Sequence, residues 1–200
     1  MADTGVISEE QKSLWERMLK TADGDYRRRR LVLSVIEFYQ RPMEELLSGY
    51  AKKRISMRRP ERIHISSGVR VYGTCRMERR KNDVCSMTFS RHLFFDGNVE
   101  RLRNVVCHEM LHACLPYREG HGQKFHFFME KLNEAFHINI AVHSPENAIR
   151  QSESLYKYKV VCKSCGNTSY YLRAGALVKH PERFRCVKCR ESRFEVEQLR

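Results

Sequence analysis

Val106-Cys107-His108-Glu109-Met110-Leu111-His112-Ala113 is the stretch on which the reading of this chain turns. It lies in a run from Asn98 to Leu115 where Val99, Leu102, Val105, Val106 and Met110 recur at helical spacing, with Pro116 closing the run. On a helix, residues four apart share a face, so His108 and His112 can offer both imidazoles to one zinc ion. Glu109 stands one step round the helix, where it can hold a water and take its proton. Zinc acidifies such a water towards a pKa of roughly 7 and polarises a carbonyl, so the trio suits hydrolysis at neutral pH.

A catalytic zinc takes three protein ligands and keeps one position open. One helix cannot supply the third in tetrahedral geometry, so the chain must turn back. Glu119-Gly120-His121-Gly122 suits that turn, because two glycines permit backbone angles that other residues resist and they flank a histidine. His121 is therefore the favoured third ligand. His126, Glu130 and Glu134 are its rivals, all on a helical run from Gln123 to Phe136. Arg118 stands where the metzincin spacing would place its last histidine, which excludes that class. His64, His92, His137, His143 and His180 read as structural or exposed.

Two Cys-x-x-Cys pairs, Cys162/Cys165 and Cys186/Cys189, lie twenty residues apart. This spacing fits a closed four-thiolate zinc site, a zinc ribbon, and the expected cofactors are two zinc ions, one catalytic and one structural. A segment this short has little core, so the metal would fold it. Cys75, Cys85, Cys107 and Cys114 read as core residues.

Working outward, Ser8 is placed to cap a helix with Gln11 as its partner three residues on. Leu14, Trp15, Met18 and Leu19 form its apolar stripe. A second stripe runs from Leu31 to Tyr50, and Pro42 is expected to break or restart it. Arg62–Ser66 alternates as a strand, while Val69–Met77 and Val84–Arg91 pair around a polar turn at Lys81–Asp83. The fold class is α+β: zincin-like helices with a small antiparallel sheet, plus a C-terminal zinc ribbon. Residues 1–152 form the main domain, with N-terminal helices over 1–60 and a catalytic core over 61–152. The ribbon covers 153–200, with the boundary near 145–154.

The chain has 200 residues, 42% of them hydrophobic and 30% charged, which excludes a disordered chain. No apolar run approaches the roughly 18 residues of a membrane span. The polar N-terminus lacks a signal-peptide core, so the protein is expected inside the cell, in the cytoplasm or nucleoid of a prokaryote or the nucleus of a eukaryote. Net charge is +13, from 37 basic and 24 acidic residues. The excess attracts polyanions, and single-stranded or distorted DNA is the expected partner beside a protein substrate. Candidate phosphate contacts are Lys52, Lys53, Arg54, Arg58 and Arg59 in the densest cluster and Arg183, Arg185 and Lys188 in the ribbon, where Phe184 lies among them.

Taken together, these motifs resemble the SprT-like family, which includes the Spartan proteases. The resemblance runs from about Arg62 to the end and includes Gly73-Thr74-Cys75, Cys85-Ser86-Met87-Thr88-Phe89-Ser90, the 106–113 stretch and Arg118-Glu119-Gly120-His121-Gly122 with Phe125. The last is similar to the family's His-Gly-x-x-Phe element, which supplies the third zinc ligand and so supports His121. The terminal cysteine pairs resemble its C-terminal zinc-binding part. The resemblance implies a zinc metalloendopeptidase associated with DNA, acting on DNA-bound or DNA-crosslinked proteins. The stretch between His112 and Glu119 is shorter than in Spartan. A competing reading is a non-enzymatic zinc protein that binds nucleic acid, such as a transcription-linked adaptor; a third is a peptidase with no link to DNA.

Overall fold

The hydroxyl of Ser8 accepts a hydrogen bond from the Gln11 amide at 3.1 Å and starts helix α1, Glu9–Lys20. Glu9 and Glu10 in its first turn and Arg17 and Lys20 in its last match the helix dipole. The computed structural model describes residues 5–68, 71–77, 84–95, 97–142, 156–171 and 173–199. The chain divides into two units, Met1–Ile149 and Arg150–Arg200. The boundary expected at 145–154 falls outside the described residues.

Helix α2, Asp25–Ala51, is a single helix that passes through Pro42. The expected break does not occur. A proline in a helix interior costs roughly 3 kcal/mol through its missing N–H. Pro42 itself is buried, with Tyr39, Met43 and Leu47 fully buried around it, and this packing holds the helix continuous. Trp15 of α1 is fully buried against α2, and its indole N–H donates to Ser34 Oγ at 3.1 Å.

Three strands follow: β1 (Arg59–Ser66), β2 (Gly73–Met77) and β3 (Val84–Ser90), in the spatial order β1-β3-β2. The β2–β3 pair is antiparallel, as expected, although β2 begins at Gly73 rather than Val69. The polar turn at Lys81–Asp83 lies outside the described residues. β1 joins β3 in parallel, pairing Ile63 with Met87 and Ile65 with Phe89, so this sheet is mixed rather than wholly antiparallel. β3 has neighbours on both sides, which explains why Val84, Cys85, Met87 and Phe89 are all buried.

Asn98 caps helix α3, Val99–Cys114, by accepting from the Arg101 amide at 2.8 Å. This helix packs against α2, β2 and helix α4, Gln123–Phe136. Its other end is closed from a distance. Arg58 Nη1 donates to the carbonyls of Ala113 at 2.9 Å and Leu115 at 2.7 Å, covering acceptors that a helix end leaves open. Arg103, 3% exposed, ties three helices together by donating to Tyr39 Oη at 2.8 Å, Glu100 Oε2 at 2.6 Å and the Phe136 carbonyl at 3.4 Å.

The second unit holds an antiparallel sheet ordered β5-β4-β6, with β4 Tyr158–Cys162, β5 Thr168–Tyr171 and β6 Phe194–Gln198. Its two cysteine knuckles repeat one turn. The Gly166 amide donates to the Cys162 carbonyl at 2.9 Å, and the Arg190 amide donates to the Cys186 carbonyl at 2.8 Å. Both turning residues are left-handed, with φ of 69° and 65°. Among the described residues no helix is long and apolar enough to cross a membrane.

Replacing Arg103 with Leu leaves a buried hydroxyl and a helix-end carbonyl without their donor. It should lower stability by about 3 kcal/mol, read as a fall in the urea midpoint followed by Trp15 fluorescence.

Candidate metal centre and its surroundings

Helical spacing on α3 stacks His108 over His112, and the turn before α4 brings back His121. Their Nε2 atoms form a triangle with sides of 3.1 Å (His108–His112), 3.1 Å (His108–His121) and 3.0 Å (His112–His121). Among the described residues this cluster contains His121 and none of His126, Glu130 or Glu134, so the rivals for third ligand stand elsewhere. Desolvation by burial, with the neighbouring imidazoles adding to it, pushes His108 down to about 3 and His112 down to about 4. Both rings are therefore neutral at physiological pH. The backbone carbonyl of Ala141 accepts a hydrogen bond from His108. That proton sits on the ring nitrogen away from the cluster, so His108 Nε2 turns a bare lone pair towards the other two.

Three imidazole nitrogens at this spacing fit a zinc ion. Tetrahedral zinc with bonds of about 2.0–2.1 Å holds its nitrogen ligands about 3.3 Å apart. A cation at the centre of such a triangle would bond to all three nitrogens.

The two glycines of the turn serve different ends. Gly120 has φ of 52° and ψ of −124°, a conformation that side chains resist. Gly122 has an ordinary φ of −76°, so the angle argument does not apply to it; there the constraint is space. A Cβ at Gly122 would lie 2.6 Å from Glu119 Oε1. That carboxylate oxygen accepts from the Lys124 amide at 2.9 Å and so satisfies one of the open donors of α4. Phe125, fully buried, closes the floor, its ring centroid 5.0, 4.6 and 4.8 Å from those of His108, His112 and His121.

Glu109 is 5% exposed, and desolvation pushes its carboxyl up to about 8 against the pull of a hydrogen bond from the Cys75 backbone amide. Strand β2 can approach that closely because residue 73 is glycine. A Cβ there would sit 2.7 Å from Glu109 Oε1 and 3.0 Å from Val105 Cγ1. An isolated glycine within a strand is the one sequence signal that pointed to this approach. No comparable signal marked the strap beyond α4. The Asn133 side chain donates to the Ile140 carbonyl at 2.9 Å and accepts from the Ile140 amide at 2.7 Å. Asn104 Oδ1 accepts from the Asn139 amide at 2.9 Å. These bonds fix the segment whose next carbonyl, that of Ala141, orients His108.

In the second unit the thiols of Cys162, Cys165, Cys186 and Cys189 form one cluster, with Sγ separations of 3.5 Å (Cys162–Cys189) and 3.6 Å (Cys165–Cys186). Tetrahedral zinc with Zn–S bonds of about 2.3 Å sets sulfurs about 3.8 Å apart, so this set also fits the ion. Backbone amides of Cys189 and Lys188 pull the Cys186 thiol down to about 6, favouring the thiolate that a metal needs. Of the other cysteines, Cys85, Cys107 and Cys114 are buried and Cys75 half-buried.

The candidate phosphate contacts divide. Lys52, Lys53, Arg54, Arg59, Arg183, Arg185 and Lys188 are exposed. Arg58 is not available in that way. It is half-buried, and its guanidinium is committed to the two carbonyls that end α3, a structural duty that the sequence cluster concealed.

An α+β unit with a His-Glu-x-x-His helix and a third histidine returning to it is of the metalloprotease-like class. The model of the SprT-like family matches residues 35–144, more than half of the chain, and the chain belongs to that family. None of the curated proteins matches it.

Two outcomes follow from these contacts. The folded state keeps a proton on Glu109 up to about pH 8, whereas the unfolded chain releases it near 4.5. This group's contribution is therefore complete below pH 4.5 and is lost as pH rises towards 8. In metal-free protein, Glu109→Gln should be more stable than the parent by a margin that grows over that window to a few kcal/mol, measured by Trp15 fluorescence in urea. Asn133→Ala should weaken zinc binding at the histidine site by about 10–100-fold in chelator competition, with the ribbon zinc unaffected.

Proposed function

We propose that this protein is a zincin-like zinc metalloendopeptidase carrying two zinc ions, one at His108, His112 and His121 and one at the four cysteines, and that it cleaves DNA-bound or DNA-crosslinked proteins. The observation that carries the reading is the 3.0–3.1 Å triangle of imidazole nitrogens with the Glu109 carboxyl one step round the same helix. A zinc ion bound there supplies Lewis acidity to a peptide carbonyl and acidifies water.

The chain's own residues supply the rest. Glu109 takes a proton from water onto its carboxylate and returns it to the departing amine nitrogen. Burial holds its proton affinity up in the metal-free fold, and a cation beside it would lower that affinity so that the carboxylate is free to take the proton. The Cys75 amide fixes the carboxylate's aim, the Ala141 carbonyl fixes the plane of His108, and Phe125 keeps water from beneath the ligands.

The link to DNA draws support from the +13 charge and from the exposed Arg183, Arg185 and Lys188 around Phe184, itself 36% exposed. Cations beside an exposed ring suit phosphate contact with base stacking. Lys52 and Arg59 add exposed positive charge on the first unit. The same features of the ribbon favour the second reading, a non-enzymatic nucleic-acid-binding adaptor.

Zinc-loaded protein should hold two zincs per chain and cleave a small basic protein crosslinked to single-stranded DNA. Glu109→Gln should cut about 10²–10⁴-fold more slowly while keeping both metals. Equal cleavage by this variant would remove the hydrolytic assignment, and full biological function without cleavage would favour the adaptor. DNA affinity should fall steeply as salt rises.

A further inference from the structure

A groove of about 870 Å³ opens in the first unit between the end of α2 with the segment after it and the junction of α3 with α4. It lies within the range of roughly 300–1,000 Å³ typical of ligand sites and is too large for one side chain. Ile55, Met57, Leu115, Phe127 and Phe128 give it an apolar lining. Lys53, Arg54 and Lys124 stand exposed among the lining residues and form a cationic rim, and among the described residues no salt bridge neutralises them. None of these residues belongs to either metal cluster.

We propose that this groove is a docking site for a peptide segment bearing apolar anchors flanked by aspartate or glutamate. The rim's charge selects an anionic partner, since three cations around a low-dielectric floor raise the local concentration of acidic groups. The wall selects a peptide over a nucleic acid. Three of its backbone amides are already committed: that of Ile55 donates to Ser48 Oγ, that of Met57 to Glu44 Oε1 and that of Arg58 to the Ala113 carbonyl. What remains offers shape and apolar contact rather than donors for base edges. Phe127, 44% exposed, meets Tyr50 edge to face, at 5.7 Å and 87°, so the two rings do not present parallel faces for a base to enter. Methionine and branched aliphatic walls accept leucine, phenylalanine or methionine anchors in varied packings.

The inference is independent of proteolysis. The groove is lined by Leu115 and Pro116 on one side of the turn that carries His121, and by Gln123 and Lys124 on the other. A segment held there would lie against residues on both sides of that turn, none of them in the histidine cluster.

The full chain carrying Glu109→Gln, immobilised, is used to select binders from a library of short random peptides, and affinities are then read by fluorescence anisotropy. The selected peptides are expected to carry apolar residues flanked by acids. They should bind about tenfold or more weakly to Lys53→Glu/Arg54→Glu/Lys124→Glu, the scale of three rim charges. Phe127→Ala, which leaves the rim intact, should weaken them as well, and hydrogen exchange should be protected over 53–58 and 123–128. Peptides without the acidic and apolar pattern, or peptides that bind both variants as tightly as the parent, would overturn the proposal. So would a single-stranded oligothymidylate that displaces every selected peptide and depends on the same residues, because the occupant would then be nucleic acid.

Discussion

Three imidazole nitrogens held within 3.1 Å of one another form an arrangement that a protein does not adopt for packing. Burial keeps His108 and His112 neutral, so each can offer an uncharged ring nitrogen to a shared cation. Several elements of the first unit serve this constraint. Asn98 sets where α3 begins, Arg58 closes its end, Gly120 reverses the chain, and the Asn133 strap turns His108. Phe125 and the sheet close the site from below and beside.

Charge enters this molecule in two registers. Arg58 and Arg103 are half-buried and buried, and each meets oxygen acceptors fixed in place. The surface cations make few such bonds and act through a field that salt can screen. Net charge counts both kinds equally, which is why Arg58 was grouped with its exposed neighbours. A guanidinium can bridge two carbonyls, but Arg54 and Arg59 carry the same group, so only the fold singles out Arg58.

Much of this was legible in the sequence because local rules decide it. The i, i+4 histidines, the glycine-flanked return and the two cysteine pairs each place ligands within short stretches. Helix α1 is readable from stripe and cap, and α3 and α4 from their apolar residues alone. What escaped depends on contacts between distant segments. The parallel pairing of β1 with β3 is set by tertiary packing, since strand periodicity carries no direction. Pro42 was read by its local cost, and burial on both sides of it overrode that cost. The Ala141 carbonyl is a backbone group, invisible to residue type, and the Asn133 and Asn104 side chains that hold its segment have partners that only the folded chain reveals.

The two knuckles of the ribbon share a turn but not a residue. Gly166 adopts its left-handed angle without penalty, whereas Arg190 does so with a side chain attached, at a cost of roughly 1–2 kcal/mol. The four-thiolate cluster is therefore chemically uniform and mechanically lopsided. Were a zinc ion held by the four thiols, the strain at Arg190 would favour its release from the second knuckle over the first.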